Sequence, residues 1–435
     1  MMAEDYAESQ KERMFQLALL AVAAWSVIYA RFALGPLQET MRIDLGFSDN
    51  QIAILNGPAV AIPTALAAFP AGFAVDRFKR TPIVIGLLAT GFFALVFTAF
   101  STSMILLLLG RILTGVVVGA AVVAVFSIMA DLCKPSHRGR GSMIIILAEA
   151  AGGPAAFFLG GTLLAAGGST GILYLDGWRA ALLWMCLPLL LCFVLALLMR
   201  EPTRKGVRLA NPSFRQIWPE LWKFRAIIGV LIVGRAMAWI GDGAAQIWGA
   251  PTFERIFGLA PQEASSIMAT AMLISGIAGP LLGGSLADYC YSRGGPRQTI
   301  TILAFAMTIS IPAACYGIMP NATIAAFSII IFLLTGLTGV AAAMAIATTV
   351  IPNEIRGVYI SISIAGAAVV SYGLAPVIVS GLSTFLGGPM MIGYAQAMVG
   401  GSTAVIGALI FYTGRVHFPG CPTPEAVHRE GAAHG

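Results

Sequence analysis

Charged residues are scarce in this chain of 435 residues, where they make up 11% of the composition against 58% for hydrophobic residues. The mean hydropathy is +0.86. An ordinary soluble domain carries about 25% charged residues and a smaller apolar share. The composition therefore excludes a soluble protein of ordinary makeup and predicts a chain that lies in a lipid bilayer.

Residues that build disulfide frameworks and metal centres are also few. The six cysteines fall mostly inside apolar runs or in loops that we assign to the cytoplasm, and their spacing fits no metal site. All four histidines lie in predicted loops or in the last residues, and the sequence has no His-Glu-x-x-His or Gly-x-x-x-x-Gly-Lys motif. We therefore expect no cofactor, no metal and no enzymatic activity.

The first residues, Met1 to Glu8, are polar and acidic. They lack the basic segment, the short apolar core and the small-residue cleavage site of a secretory signal. We expect membrane insertion to rely on the first spanning helix.

Long apolar runs divide the rest of the chain. About 20 apolar residues are needed to cross a bilayer as a helix. On this criterion we predict twelve spans, near residues 14–37, 51–72, 82–100, 104–129, 142–166, 179–199, 226–249, 264–286, 299–318, 322–350, 358–383 and 390–413. Clusters at Lys134–Ser136, Gly294–Pro296 and Pro320–Asn321 mark joints, and Ser48 with Gln51 has the spacing of a helix-capping box.

Basic residues are distributed unevenly between the predicted joints. Twenty lysines and arginines lie at the two termini and in the joints after even-numbered helices, whereas the opposite joints hold only Arg42, Arg179 and Arg255. Positive residues stay on the cytoplasmic side of a membrane, so we expect both termini in the cytoplasm, of a bacterial inner membrane. The basic pI near 9 then reflects membrane topology, and we expect no nucleic-acid partner.

A short pattern occurs twice, 212 positions apart. Gly72–Asp76 reads Gly-Phe-Ala-Val-Asp and Gly284–Asp288 reads Gly-Ser-Leu-Ala-Asp, while Gly46 and Gly258 are related by the same offset. An internal duplication of this size is how many secondary transporters are built. We predict an all-α membrane protein of two pseudo-symmetric six-helix bundles, residues 1–200 and 226–413, with a cytoplasmic linker at 201–225 and a cytoplasmic tail at 414–435.

The loop from Gly72 to Arg80, with its Gly, Asp and basic cluster, resembles the cytoplasmic signature of the major facilitator superfamily. Supporting matches are the second copy at Gly284–Asp288, the segment Arg111–Gly115 and the segment Asp131–Arg140. Within the superfamily, the chain is most similar to Spinster-type transporters, a group associated with lysolipids and other amphiphiles. The residues that carry this second resemblance are Tyr29–Gly35, Leu45–Ser48 and Gly177–Arg179.

The chain departs from that subfamily at two positions. Where the group typically carries an Asp in helix one, this chain has Ala30, and where it typically carries a Glu seven residues after the Arg of helix four, it has Val118. Both positions carry protons in the family. Their replacement argues against proton coupling by the family's usual route.

Five charged residues remain inside the predicted spans. A charge at this depth costs several kcal/mol unless it faces a partner or a wet cavity, so each is a functional candidate. They are Arg31, Arg111, Arg235, Glu149 and Asp242. The alternative for each is a structural role, such as an ion pair or an arginine satisfied by backbone carbonyls.

We assign substrate binding to Arg111 and Arg235, because unneutralised guanidinium groups in a cavity favour an anionic substrate. Arg235, Trp239, Asp242 and Gln246 share one face of helix seven, which we expect to line that cavity. Tyr29 and Trp25 are candidate wall residues. Their alternative is packing or contact with lipid.

Glu149 is the first choice as the proton-coupling residue, because it is a lone acid among small residues, and Asp242 is the second. The alternative for Glu149 is to neutralise Arg111 on the adjacent helix.

Two gates are predicted. Arg31 and Asp242 come out at similar depth, so we expect them to approach each other when the outer side is shut. We expect Asp76 and Asp288 to close the cytoplasmic side with Arg77, Arg80 and Arg138.

The leading interpretation is a monomeric secondary active transporter that moves an amphipathic organic anion, with protons as a candidate coupling ion and membrane lipids as further partners. Export of lysolipids or hydrophobic drugs is the alternative within transport. A non-transporting membrane sensor with the same fold is the alternative outside it.

Overall fold

Helices make up almost the whole of the structure, a computed structural model that describes residues 2–134, 137–166, 175, 177–204 and 214–420. The helices are α1 (Met2–Phe32), α2 (Gln38–Leu45), α3 (Asp49–Asn56), α4 (Pro58–Arg77), α5 (Arg80–Ala99), α6 (Met104–Leu132), α7 (Arg138–Ala165), α8 (Gly177–Ala196), α9 (Phe214–Lys223), α10 (Arg225–Phe257), α11 (Pro261–Ala313), α12 (Ala322–Val350), α13 (Asn353–Ala367), α14 (Ala375–Leu386) and α15 (Ile392–Gly414). A π-helical segment, Ala368–Leu374, joins α13 to α14. This agrees with the predicted all-α class.

Eleven helical stretches in the described residues are long and apolar enough to cross a membrane. One of them, Pro261–Ile318, has 58 residues. At 1.5 Å per residue it would be about 87 Å long, far more than one bilayer. The stretch is broken at Gly295, where φ is 66° and ψ is −162°, so it makes two crossings and the predicted twelve spans are recovered. The joint that we predicted at Gly294–Pro296 is thus a break between two helices and not a loop.

Other predicted ends of spans also differ from the observed ends of the helices. The first span ends at Phe32 rather than 37, and the seventh continues to Phe257 rather than 249. Gly57 interrupts the second span between α3 and α4. Pro135 and Ser136 of one predicted joint, most of the linker side chains and residues 421–435 of the predicted tail lie outside the described residues.

The duplication is visible in how equivalent helices begin and end. Gly46 ends α2 with φ 64° and Gly258 ends α10 with φ 67°, a left-handed conformation that glycine adopts without a steric penalty. Two residues later Ser48 and Ala260 precede the next helices. Their backbone N–H groups donate to the side chains of Gln51 at 2.9 Å and Glu263 at 3.2 Å. The capping box predicted at Ser48 is confirmed. At Ala260, the equivalent position 212 residues later, only the bond from the backbone N–H to the Glu263 side chain is present, because alanine has no side-chain oxygen.

Glycines at small-xxx-small spacing, Gly115 with Gly119 and Gly279 with Gly283, bring neighbouring helices into close contact. A Cβ at Gly119 of α6 would collide with the carbonyl oxygen of Thr64 in α4. A Cβ at Gly283 of α11 would collide with the carbonyl oxygen of Thr338 in α12. The two helix pairs occupy corresponding places in the two halves of the chain.

The hydrophobic cores show where the halves meet. One buried cluster combines residues of both halves, among them Leu34, Leu37 and Trp248. Two further clusters each belong to one half, one around Ile128 in the first and one around Ile346 in the second. We call the end of the molecule with the shared core, where α1 ends, the closed end. Toward the other end, where α1 begins, each half has its own core.

Candidate functional site

A cavity of about 490 Å³ lies between the halves, next to the closed end and toward the middle of the molecule. Its walls are mainly apolar side chains of α1, α7, α11 and α12. They include Ile28, Phe32, Ile146, Met272, Leu333, Leu337 and Val340. Three charged residues also line it, namely Arg31, Glu149 and Asp242. Three of the five charges predicted inside the membrane therefore share one cavity.

Arg31 and Asp242 do not form an ion pair, although both face the cavity. The Arg31 guanidinium carbon lies 3.5 Å from the centre of the Tyr372 ring, a close cation–π contact. The Tyr372 hydroxyl donates to Gln246 at 3.4 Å, and the Gln246 amide donates to Asp242 at 3.0 Å. Tyr372 and Gln246 thus connect the two residues that we expected to meet directly.

Tyr372 is the functional candidate that sequence reasoning missed. It belongs to the π-helical segment between α13 and α14, and π-helical turns occur frequently at functional sites. The periodicity of an apolar run does not reveal such a turn. The one available signal is the run Ser371–Tyr372–Gly373 within a span, which is weak alone.

Glu149 lies on α7 and faces the cavity beside Ala150 and Gly153. Its alternative role was to neutralise Arg111, but Arg111 is not among the residues that line this cavity. Among the described residues Glu149 has neither an ion-pair nor a hydrogen-bond partner. Its carboxylate therefore faces the cavity without a direct partner in the described part of the chain.

Arg111 lies behind the cavity, contrary to the expectation that it lines it. It is 3% exposed, its Nε donates to the Leu55 carbonyl at 3.2 Å, and its Nη2 donates to the Arg31 carbonyl at 3.2 Å. The third nitrogen, Nη1, has no hydrogen-bond partner in the described part of the chain. Backbone carbonyls therefore satisfy this arginine only in part.

Arg235 also lies off the cavity. It is 4% exposed, its Nη1 approaches the Gly336 carbonyl at 3.4 Å, and its guanidinium carbon lies 5.5 Å from the Trp239 ring centre. The predicted polar face of helix seven is therefore divided. Asp242 and Gln246 line the cavity, while Arg235 and Trp239 pack between helices.

The two aromatic wall candidates of helix one are packing residues in this conformation. Tyr29 is 1% exposed and donates its hydroxyl to the Met185 carbonyl at 3.1 Å. Trp25 stacks on Tyr29 with ring centres 4.8 Å apart. Neither is among the residues that line the cavity.

A buried charge network fastens the closed end. Arg255 of α10 donates to Glu39 at 2.5 Å and to Asp49 at 2.8 Å, and Arg42 pairs with the same Glu39 at 2.7 Å. Burial alone would raise the pKa of the Glu39 carboxyl, but the hydrogen bonds from Arg42 and Arg255 hold that pKa below its ordinary value. This network joins the two halves. Its arginines are two of the three on the sparsely charged side of the sequence, a signal that we used only for topology.

A second link between the halves lies between this network and the cavity. Gln38 donates its amide to the Ile247 carbonyl at 2.5 Å and accepts from Asn56 at 2.8 Å. The closed end thus has a charged outer layer and an amide inner layer.

At the other end, Arg80 is the organising residue of the predicted cytoplasmic gate. It is 3% exposed and pairs with Asp131 at 2.5 Å and with Glu201 at 3.1 Å. Burial by itself would raise the pKa of the Glu201 carboxyl, but hydrogen bonds from Thr81 and Arg80 lower it. These contacts lie within the first half and the start of the linker, so they do not close the cavity.

The other gate candidates are apart in this conformation. Arg204 donates to the backbone carbonyls of Asp76, Val75 and Phe78, and Arg138 donates to the Ala130 carbonyl. Asp288, at the equivalent position of the second half, is exposed, as is Arg77. Within the described part of the chain, Arg138 thus bonds to a backbone carbonyl and not, as we had expected, to Asp76 or Asp288.

A family model described as Major Facilitator Superfamily matches residues 20–248. None of the curated proteins matches the sequence.

Solved structures of transporters share the fold. A bacterial homologue of the human lysosomal transporter Spinster, in an inward-facing and unoccupied conformation, has a TM-score of 0.78 at 20% identity, with 93% of this chain and 97% of that chain covered. A nucleoside transporter has a TM-score of 0.72 at 13% identity, covering 92% and 98%. A D-xylose-proton symporter has a TM-score of 0.68 at 16% identity, covering 91% and 97%. At these identities the likeness concerns the fold.

Proposed function

Because this chain belongs to the Major Facilitator Superfamily, a family of multi-pass membrane transporters and not of enzymes, we propose that it moves an amphipathic organic anion through the cavity by alternating access. The observation that carries the proposal is the position of Arg31. Its guanidinium faces a mainly apolar cavity and has no carboxylate partner among the described residues. An anionic head group at Arg31 and an apolar body against Leu333, Leu337 and Val340 fit this arrangement.

Glu149 supports coupling of the anion to a proton. When Glu149 is ionised, the cavity is lined by one positive side chain, Arg31, and two negative ones, Glu149 and Asp242. This net negative charge disfavours binding of the anionic substrate. Protonation of Glu149 removes one negative charge next to Arg31. Proton binding and anion binding then favour each other by the same coupling free energy. We therefore expect symport, in which both move in the same direction.

The conformation and the orientation are part of the proposal. We infer an inward-facing state with both termini in the cytoplasm of a bacterial inner membrane. The uneven distribution of basic residues, the shared core at the closed end and the similarity to an inward-facing structure support it. A monomer of two six-helix units, 1–200 and 226–413, fits the same picture.

The experiment that tests the function is transport into proteoliposomes under an imposed pH gradient, with radiolabelled aliphatic carboxylates as substrates. We expect wild-type uptake to rise several-fold when the substrate side is acidic. Glu149→Gln should transport at a rate that no longer depends on pH, because the amide cannot carry a proton. Glu12→Gln, an exposed acid paired with Arg200 at the surface, is the control and should keep the wild-type profile. A Glu149→Gln protein with the wild-type pH profile contradicts the coupling role.

Export of lysolipids or hydrophobic drugs is the second candidate function. The apolar walls and the fold match to a Spinster homologue favour it. Thermal stabilisation of the purified protein by organic acids, lysophospholipids and cationic drugs separates the candidates. Stabilisation by cations alone contradicts an anion site at Arg31, and stabilisation by a ligand that never crosses the vesicle membrane supports a sensor.

A further inference from the structure

A small chamber lies beyond the cavity, on the side of the closed end. Its volume is about 20 Å³, which is room for one or two water-sized groups. Arg111, Arg31, Gln38, Asn56 and Tyr372 line it. The chamber is far smaller than the pockets of about 300–1,000 Å³ that hold organic ligands.

Two arginines line this chamber. Arg111 has one nitrogen, Nη1, with no partner in the described part of the chain, and its Nη2 bonds to the backbone of Arg31. The Arg31 guanidinium stacks on Tyr372. A buried charge without a counter-charge costs several kcal/mol, so this pair of like charges calls for a neutralising group.

The neighbouring carboxylates do not supply that group. Glu39 is engaged by Arg42 and Arg255, and Asp242 accepts from Gln246 on the cavity side. Glu149 faces the cavity and does not line the chamber. Ala30 and Val118, on the helices of Arg31 and Arg111, are apolar.

We propose that the chamber binds a small monovalent anion such as chloride between the guanidinium groups of Arg111 and Arg31. Nη1 of Arg111 is the principal donor, since charge-assisted hydrogen bonds are the strong ones. The amides of Gln38 and Asn56, each of which has a second N–H, complete a polar shell. This site shares Arg31 with the one proposed for the organic substrate, but its principal donor, Arg111, does not line the substrate cavity, and the inference does not depend on the identity of that substrate.

The site also connects the anion to the conformation of the protein. Gln38 lines the chamber and donates to the Ile247 carbonyl of the other half. An anion that orders Gln38 therefore strengthens the link between the halves at the closed end. Chloride should favour the conformation described here.

The test is the thermal stability of purified wild-type protein in sodium chloride, bromide or gluconate at constant ionic strength. We expect a saturable rise of about 3 °C in chloride and bromide relative to gluconate, which is too large for the chamber. Arg111→Gln should abolish the halide effect. Arg235→Gln is the matched control, since Arg235 is equally buried at 4% against 3% exposure but lies outside the chamber.

A direct measurement of chloride binding to the wild-type protein tests the proposal even if Arg111→Gln does not fold. Equilibrium dialysis of wild-type protein with radioactive chloride should show saturable binding of about one ion per chain, displaced by bromide and not by gluconate. Equal stability in all three salts together with no saturable chloride binding overturns the proposal. So does loss of the halide effect in Arg235→Gln. Stabilisation by acetate but not by halides assigns the chamber to a carboxylate head group and also overturns it. None of these outcomes depends on transport of the organic anion or on Glu149.

Discussion

At the scale of single residues, Arg255 makes the strongest polar link between the two halves. Its guanidinium is 6% exposed and contacts Glu39 and Asp49, which are 8% and 4% exposed. Removing one partner of a buried ion pair costs about 3–5 kcal/mol, because the other charges stay buried without compensation. Arg255 therefore makes a large contribution to the closed end, in addition to the shared core and the Gln38 link.

The network predicts a pH dependence of stability whose sign follows from Glu39. Its pKa in the folded protein lies below the ordinary value, so its contribution is present above that value and is lost as the pH falls through the folded-state pKa. Arg255→Gln should lower the melting temperature most at neutral pH. The difference from wild type should shrink as the pH falls below the ordinary carboxyl value of about 4, because Glu39 then begins to take up a proton.

Melting curves between pH 7 and pH 3 in detergent check this expectation. Arg200→Gln is the control, because its pair with Glu12 is exposed and such pairs contribute about 0–1 kcal/mol. A difference between wild type and Arg255→Gln that stays constant across the pH range would show that Glu39 and Asp49 do not carry the link.

At the scale of helices, close approach decides which helices pair. Gly119 brings α6 onto the backbone of α4, where any Cβ would meet the Thr64 carbonyl. Helices in lipid have no hydrophobic driving force to associate, so van der Waals packing at such small residues supplies much of the contact. The same device at Gly283 joins α11 to α12.

Gly119→Ala should destabilise the protein by about 1–3 kcal/mol, the usual cost of overpacking. Gly86→Ala in α5 is the control, because a Cβ there meets nothing within 4 Å. It should be neutral or stabilising, since alanine is the better helix former. Melting temperatures of the two variants in the same detergent make the comparison. Equal melting temperatures would show that α6 can shift away from α4 at no cost.

At the scale of the whole molecule, α7 and α11 form a wall of the cavity that has to open in the alternating access proposed above. A Cβ at Gly276 of α11 would lie 3.2 Å from the Cβ of Ala150 in α7. Both residues line the cavity, so the contact belongs to the surface between the halves. Alternating access requires this surface to separate.

A double variant, Ala150→Cys with Gly276→Cys, tests this motion. The two Cβ atoms need to move apart only slightly to reach the 3.5–4.5 Å that is typical of disulfides. We expect an oxidant to link them, as detected by mass spectrometry of the joined peptides, and to abolish transport, and we expect a reductant to restore it. The single variants under the same oxidant are controls. A linked protein that transports at the unlinked rate would contradict separation of α7 from α11.

The sequence by itself determined the membrane class, the number of crossings, the duplication and the list of intramembrane charges. These follow from properties that can be read directly from the sequence, namely the length of apolar runs, the 212-residue offset and the cost of placing a charge in lipid. The superfamily resemblance is confirmed by the family model. Caps at Gly46 and Gly258 were predictable for the same reason, since they depend on a few adjacent residues.

Only the tertiary structure decided which charges face one another. Spacing along helix seven puts Arg235 and Asp242 on one face, but their separation of seven residues is about 10 Å along the axis. Asp242 lies in the cavity, whereas Arg235 packs beyond it against the Gly336 carbonyl of α12. Arg31, which we assigned to a gate, is the arginine in the cavity, and Tyr372 connects it to Asp242 through a π-helical turn. The packing of one helix against another and local unwinding depend on contacts between distant segments, and no periodicity within one helix encodes them.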